Sequence, residues 1–362
     1  MYFYNILPTK NIGNSLSVLS YSSQYPLQVG DIVEINIRSS NDFGLVINEN
    51  NEIQAEYTKW LKIDSKTDES IFGKIKPIVK KLPLKVSQQQ MQFIKLFSDN
   101  TFNSVNDVWD SCWKPLEILT QKQISEFAEI NSQKQQIGGN IVSQAKIEFE
   151  LISSNTDYAI RIIYIIRNII SNLGKNQENN QILVVFPEQR FMNKIYKQVE
   201  QLLKEHKNIL DTIELCSYTG SINKNSKHCV LSMIKESHKT QVIFTTRSGI
   251  FLPFYNLKQI ILIDEANSMY IQDQNSIYYD TREAVVFLST IFKSNLNFIS
   301  RLPSIRLYNS YSNDFLIQNL SNTTVNQKQQ LKLKIARFDK KSAQFNLFGW
   351  EIEQLLKKDE DL

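Results

Sequence analysis

The sequence predicts an α/β protein in which a small N-terminal β domain precedes a lobe built on a parallel sheet. Residues 31–37 alternate polar and apolar side chains between turn signals, the period of a half-buried strand. Residues 182–186 and 259–263 are instead short runs that are almost wholly apolar, typical of strands covered on both faces. Helical stretches separate such runs beyond about residue 145, and this alternation predicts right-handed crossovers and a parallel sheet.

Length and composition are those of a soluble protein with more than one domain. The chain has 362 residues, of which 42% are hydrophobic and 22% charged, and its net charge of +4 permits an anionic partner without demanding one. Cys112, Cys216 and Cys229 are widely spaced, which argues against a disulfide framework or a zinc site and fits a reducing cytoplasm. No signal peptide or membrane-spanning stretch is evident, so we expect a cytoplasmic protein without a membrane partner.

Shifts in composition divide the chain into four segments. Residues 1–82 carry the alternating β pattern, and residues 83–140 read as a helical connector that ends in a polar linker. Residues 141–310 carry the strand–helix alternation, and residues 311–362 form a C-terminal extension where the pattern weakens. In the connector, residues 88–97 have one apolar helical face, and Trp109 and Trp113 are spaced to share another. That spacing favours core packing over a base-stacking platform.

Two carboxylates, Asp264 and Glu265, follow the apolar run at residues 259–263, where a strand is expected to end. In open α/β sheets, ligands lie beyond the carboxyl ends of the strands. A carboxylate there can hold Mg²⁺, and its neighbour can orient an attacking water molecule. The alternative is that the pair marks only a strand end and a solvated loop, and without other motifs the pair favours this alternative.

Further short motifs occur in a fixed order around this pair. They are Val185-Phe-Pro-Glu188, Ser217-Tyr-Thr-Gly220, the stretch 246–254, and a segment that contains Tyr278, Tyr279 and Arg282. Their order and spacing across residues 181–290 resemble the first motor lobe of the primosomal replication-restart helicases, a family of superfamily 2 DNA helicases. Residues 27–35, 44–46 and 75–78 resemble, less closely, the 3′-DNA-binding domain of that family. The resemblance implies a RecA-like lobe for residues 141–310.

The chain departs from this family where a phosphate loop is needed. Such a loop uses glycines, a lysine and a hydroxyl to hold the phosphates and Mg²⁺. The corresponding stretch, residues 153–161, has no glycine and an isoleucine in place of the lysine. The cofactor-contacting positions are therefore a degenerate set: Ser154, Thr156, Ala159, Ile160 and Arg161. The family's Asp-Glu-Glu-His motif becomes Asp264-Glu-Ala-Asn267, which keeps both carboxylates but loses the coupling histidine.

The sequence also stops near the place where the family's second motor lobe and its zinc insertion would begin. We therefore expect no zinc, no bound nucleotide, and a remnant catalytic pair in Asp264 and Glu265.

The resemblance also implies candidate contacts to DNA. They lie in the β domain and in the lobe: Ser17, Arg38, Lys74, Lys76, Arg247, Ser248, Tyr278, Tyr279 and Arg282. Lysines at such positions can neutralise phosphates, and exposed tyrosines can stack on bases. The alternatives stay open, because the lysines can equally belong to a solvated strand face and the tyrosines can pack over the sheet edge.

Three functions follow from these patterns. The favoured hypothesis is a DNA-binding protein of the replication-restart type that binds forked or single-stranded DNA and lacks ATPase and helicase activity. An alternative is an ATP-dependent DNA helicase subunit whose second lobe comes from another polypeptide, with ATP and Mg²⁺ as its cofactors. A third is a scaffold for other replication or primosome proteins.

Overall fold

In the computed structural model, an antiparallel sheet and a parallel sheet follow each other along the chain. The structure describes residues 1–10, 17–52, 75–119, 123, 146–152, 157–173, 180–204, 211–221, 223–234, 239–273, 277–301, 304–305 and 318–319. This arrangement confirms the α/β class and the order of the two parts predicted from the sequence. Of the C-terminal extension, residues 311–362, only residues 318–319 lie within the described part of the chain.

The first sheet has five antiparallel strands in the order β2-β1-β4-β3-β5. Their bounds are β1 (Tyr2–Pro8), β2 (Leu19–Ser23), β3 (Asp31–Ile37), β4 (Ser40–Glu49) and β5 (Lys80–Lys85). Alternate side chains fill one face with a small core that includes Tyr4, Ile6 and Val33. Gly44 is required where β4 pairs with β1, because a Cβ there would lie 2.2 Å from the Cγ2 of Ile6. Strand β1 was not among the strands predicted from the sequence.

Two connector helices pack between the sheets, α1 (Gln88–Thr101) and α2 (Val105–Glu117). Serine side chains cap both N-termini, and the Oγ of Ser87 accepts a hydrogen bond from the backbone of α1. Trp109 and Trp113 are fully buried, so they are core residues as their spacing indicated. The ring of Trp113 lies 4.5 Å from that of Phe43 on β4. One continuous core therefore joins the first sheet, the connector and the second sheet.

The second sheet is parallel throughout and has the strand order β14-β6-β13-β10-β7-β9-β8. Its strands are β6 (Ile147–Leu151), β7 (Gln181–Val185), β8 (Ile213–Tyr218), β9 (Thr240–Thr245), β10 (Leu257–Ile263), β13 (Asn295–Ser300) and β14 (Gln318–Asn319). A two-stranded ribbon, β11 (Ile271–Gln272) and β12 (Tyr279–Asp280), lies between β10 and β13 in the chain. Strands β7 and β10 confirm the predicted runs at residues 182–186 and 259–263, whereas polar residues interrupt β8 and β13, which were missed.

Helices cover both faces of this sheet, as the apolar runs predicted. They are α3 (Asp157–Leu173), α4 (Gln189–Lys204), α5 (Lys224–Ile234) and α6 (Thr281–Phe292). Helices α3 and α4 pack on one face, and α5, α6 and the connector pack on the other. No helix in the described part of the chain is both long and apolar enough to cross a membrane.

Candidate functional site

Asp264 lies at the carboxyl end of β10, where the chain leaves the sheet. Its N–H donates to the carbonyl of Ile299 on β13 at 2.7 Å, and its φ of +56° is left-handed, which a short polar side chain tolerates. The partly exposed carboxylate accepts a hydrogen bond from Nδ2 of Asn267 at 3.3 Å. Asn267 also accepts from the N–H of Met269 at 3.0 Å and so caps the next turn. The residue at the expected histidine position therefore organises the loop.

Glu265 has a closed environment by comparison. Its side chain is buried, and both carboxylate oxygens accept hydrogen bonds from Ser304. The N–H of Ser304 donates to Oε2 at 2.9 Å, and the hydroxyl of Ser304 donates to Oε1. The carboxylate is thus directed at the segment that follows β13 and is shielded from solvent.

Arg161, predicted as part of a degenerate phosphate loop, is buried between helix α3 and the parallel sheet. Its side chain on α3 is buried and binds the buried Glu150 of β6 through two nitrogens, with Nη2 at 2.6 Å from Oε1. Nδ2 of Asn297 donates to the same oxygen at 2.7 Å, and Asn297 in turn accepts from Gln259 at 2.6 Å. The guanidinium charge is therefore compensated by a polar network that crosses three neighbouring strands, β6, β13 and β10.

A buried tyrosine lies within the stretch where the phosphate loop was expected. Tyr158 packs edge-on against Phe191, with ring centroids 5.4 Å apart. Burial raises the pKa of the Tyr158 hydroxyl, and the charge of Asp264 raises it further, so the two groups lie close enough to interact electrostatically. Burial and the charge of Asp264 also raise the pKa of Tyr270, whose hydroxyl donates to the carbonyl of Val185 at 3.0 Å. Two tyrosine hydroxyls that stay neutral therefore lie near the carboxylate.

The remaining positions of the predicted cofactor site have separate fates. Ala159 is buried in the core, while Ile160 is 59% exposed and points away from it. Ser154 and Thr156 lie outside the described residues. Within the described ranges, no group of three or more histidine, cysteine or acidic residues is placed to hold a metal ion.

Arg247 and Ser248 occupy the short 3₁₀ helix Arg247–Phe251 that follows β9. Nη1 of Arg247 donates to the carbonyls of Met269 and Ile271, at 2.9 Å each, and so holds the ribbon that begins at β11. The hydroxyl of Ser248 is buried, has no hydrogen-bond partner among the residues that the structure describes, and lies against Gly220. A Cβ on Gly220, whose φ is +73°, would come within 2.7 Å of that hydroxyl. The structure therefore brings the Ser217–Gly220 motif against the 246–254 stretch.

The three candidates near β12 differ in exposure. Tyr278 is 60% exposed, whereas Tyr279 packs edge-on against Phe97 and Phe251, both at 5.5 Å. Burial raises the pKa of Tyr279 accordingly. Packing, the alternative left open above, thus describes Tyr279, and base stacking stays a prediction for Tyr278. Arg282 forms an ion pair with Asp280 at 2.7 Å.

Two of the four candidates in the β domain, Arg38 and Lys76, lie together at the turn between β3 and β4. Arg38 is exposed in this turn with a φ of +53°, and Nζ of the exposed Lys76 donates to its carbonyl at 3.1 Å. Lys10, which the sequence did not single out, reaches the same turn and donates to the carbonyl of Asn41 at 3.3 Å. Only strand pairing brings Lys10 there, so no local pattern could have found it.

The other two β-domain candidates stand apart. Ser17 is exposed, and its carbonyl accepts from the buried Asn106 of α2 at 3.0 Å. Lys74 lies outside the described residues.

Comparison with known proteins gives these sites a context. No protein-family profile matches the chain. It is 25% identical over 308 residues to the replication restart protein PriA of Rickettsia prowazekii, an alignment that covers 82% of this chain and 42% of the relative. This chain is distantly similar to PriA. The PriA of Helicobacter pylori strain 26695 is 22% identical over 341 residues, which cover 93% of this chain and 49% of that protein.

The PriA alignments cover most of this chain. A third relative, PriA of Rickettsia conorii, is 24% identical over 287 residues, or 77% of this chain and 40% of the relative. The chain therefore spans less than half the length of each of these PriA proteins. The distant similarity agrees with the resemblance found in the motifs. What this chain does is addressed as a proposal below.

Proposed function

We propose that this protein binds forked or single-stranded DNA in replication restart, and that it neither hydrolyses ATP nor unwinds DNA by its own action. The similarity to PriA over most of the chain supports the replication-restart setting. The observation that carries the second half of the proposal is the closed carboxylate of Glu265, whose two oxygens are both engaged by Ser304.

The described residues at the strand ends do not fit a triphosphate. The acidic residue that positions the attacking water in such ATPases has to face the nucleotide, and Glu265 is buried against Ser304 instead. Positive charge is needed beside the β and γ phosphates, yet Arg161 is neutralised by Glu150. Ile160 contributes no charge at the lysine position. No step of ATP hydrolysis is therefore assigned to these residues.

A calorimetric titration with ATP and Mg²⁺ tests this half of the proposal. No saturable heat is expected with the full chain at micromolar concentrations. The partly exposed Asp264 favours the alternative, a helicase subunit, so Asp264→Asn is the matched variant. Micromolar, Mg²⁺-dependent binding that disappears in Asp264→Asn would overturn the proposal in favour of that alternative.

DNA binding is supported by the positive charge gathered at the β3–β4 turn. Lys10, Arg38 and Lys76 are all exposed; the ammonium group of Lys76 reaches the carbonyl of Arg38 in the turn, and that of Lys10 reaches the start of β4 beside it. Charges concentrated on a projecting turn can contact consecutive phosphates, whereas the same charges spread over a strand face would be solvated separately. Arg247 adds a further cation on the lobe.

The salt dependence of binding to a labelled fork with a 3′ end tests this second half. In fluorescence anisotropy, the association constant K falls as salt rises. Lys76→Gln and Arg38→Gln should each make the slope of log K against log salt less steep by about 1, because each removes one phosphate contact. Lys194→Gln is the matched control, an exposed lysine on α4 on the opposite face of the parallel sheet. Absence of binding at low salt, or an equal loss in the Lys194 variant, would refute the proposed contacts.

A further inference from the structure

Two exposed aromatic side chains are brought to the same part of the surface by the turn between α1 and α2. Phe102 is 96% exposed and Tyr278 is 60% exposed. Asn103, the residue after Phe102, forms two hydrogen bonds with the backbone of Tyr278 through its side-chain amide. Its Nδ2 donates to the Tyr278 carbonyl at 2.8 Å, and its Oδ1 accepts from the Tyr278 N–H at 3.0 Å.

The backbone conformation of Phe102 is unfavourable for a bulky residue. It ends α1 in the left-handed conformation, with φ 55° and ψ 21°, where glycine or asparagine is usual. A bulky side chain in that conformation is strained, and a ring that remains 96% exposed recovers almost nothing by burial. Folding therefore does not explain a phenylalanine at this position, whereas contact with a ligand would.

We infer that Phe102 and Tyr278 form an aromatic platform on which the bases of single-stranded DNA stack. The inference rests on the proposed DNA binding and extends it to the connector, where no contact had been predicted. Flat exposed rings suit bases of any sequence, since every base has a π-face. The residues that flank Phe102 in the chain, at 98–101 and 103–104, are all polar, which suits separate stacked bases better than a continuous apolar protein face.

Positive charge lies close to this platform. The guanidinium of Arg247 binds the carbonyl of Ile271 on β11, and β11 pairs with β12, the strand that directly follows Tyr278. Among the residues that the structure describes, Arg247 forms no ion pair, so its charge is available to a phosphate. Stacked rings beside a cation are the usual elements of a single-strand binding surface.

The same turn also reaches the predicted contact in the β domain. Asn106, one residue into the body of α2, is buried, and its Nδ2 donates to the carbonyls of Pro8 and Ser17 at 2.9 and 3.0 Å. Residues 102–106 therefore link Tyr278 on the lobe to Ser17 on the β domain through hydrogen bonds.

Phe102→Asn tests the inference, because asparagine tolerates the left-handed conformation. The variant should unfold at the same or a higher temperature than the wild type, yet bind labelled oligo-dT about five-fold or more weakly. The slope of log K against log salt should not change, since the ring carries no charge. Tyr25→Ala is the matched control, an exposed aromatic beyond the far end of β2 from Ser17, and should bind as the wild type does.

The outcomes separate this inference from the proposed function. If the wild-type protein does not bind DNA, the proposed function fails. If the wild type binds and Arg247→Gln weakens binding but Phe102→Asn does not, only the platform is overturned, and a protein contact becomes the better explanation for the ring. An equal loss with blunt duplex DNA, which offers no unstacked internal bases, would also overturn stacking. Selective loss on single strands, with restoration in Phe102→Trp, supports it.

Discussion

Replacing Arg161 with methionine should destabilise the protein by about 3–5 kcal/mol, the usual cost of removing one partner of a buried ion pair. Arg161 is 8% exposed and Glu150 is 1% exposed, so the remaining carboxylate would stay in a site without water. It would lose both guanidinium donors and keep the hydrogen bond from Asn297 at 2.7 Å. Methionine retains the unbranched stem and the helix propensity of arginine but lacks the guanidinium, so the loss reports mainly on the ion pair.

The assay is equilibrium unfolding in urea at pH 7, followed by far-ultraviolet circular dichroism. The double variant Arg161→Met/Glu150→Gln removes both charges and leaves Asn297 an amide oxygen to bind. It should be at least about 2 kcal/mol more stable than the single variant, because no uncompensated charge remains. The urea dependence of the unfolding free energy should be equal in all three proteins, which makes the comparison valid.

A cost below about 1 kcal/mol for Arg161→Met would refute this reasoning, since a buried unpaired carboxylate cannot be that inexpensive. A double variant no more stable than the single one would also refute it. Either result would leave the guanidinium available for another anion and would reopen its role beside a phosphate.

Three further outcomes follow from the structure. Ser304→Ala should lower stability by about 1–3 kcal/mol, because the buried carboxylate after β10 loses its hydroxyl donor, whereas the adjacent, 76% exposed Ile305→Ala should change little in thermal unfolding. Burial raises the pKa of Tyr196 to about 12, so its contribution to stability is complete below pH 10, near the unfolded pKa, and is lost as the pH rises toward 12. Tyr196→Phe should therefore lose less stability than the wild type between pH 9 and pH 11, measured as the shift of the urea unfolding midpoint. The buried thiols of Cys216 and Cys229, 2.7 Å apart, should resist an aromatic disulfide reagent in the native protein and react in urea, and equal rates in both states would contradict the described packing.

Hydrophobic periodicity in the sequence was sufficient to predict the class of each sheet and the position of the acidic pair. Alternation predicted β3, and unbroken apolar runs predicted β7 and β10, because the period of the pattern reports how many faces of a strand are covered. The end of such a run placed Asp264 at the carboxyl edge of the sheet without any knowledge of its neighbours. The spacing of Trp109 and Trp113 likewise predicted core packing, which the structure confirms.

Only the tertiary structure decided what the polar side chains do. Arg161 meets Glu150 because α3 packs back on β6, and Asn297 joins them because β13 lies between β6 and β10. Partners far apart in the chain, such as Ser304 with Glu265, follow from strand order, which hydrophobic periodicity does not encode. A local pattern states which side of an element is apolar, whereas the partner of a charge depends on which elements become neighbours. The acidic pair was therefore placed by the sequence, and the closure of its glutamate was decided by the fold.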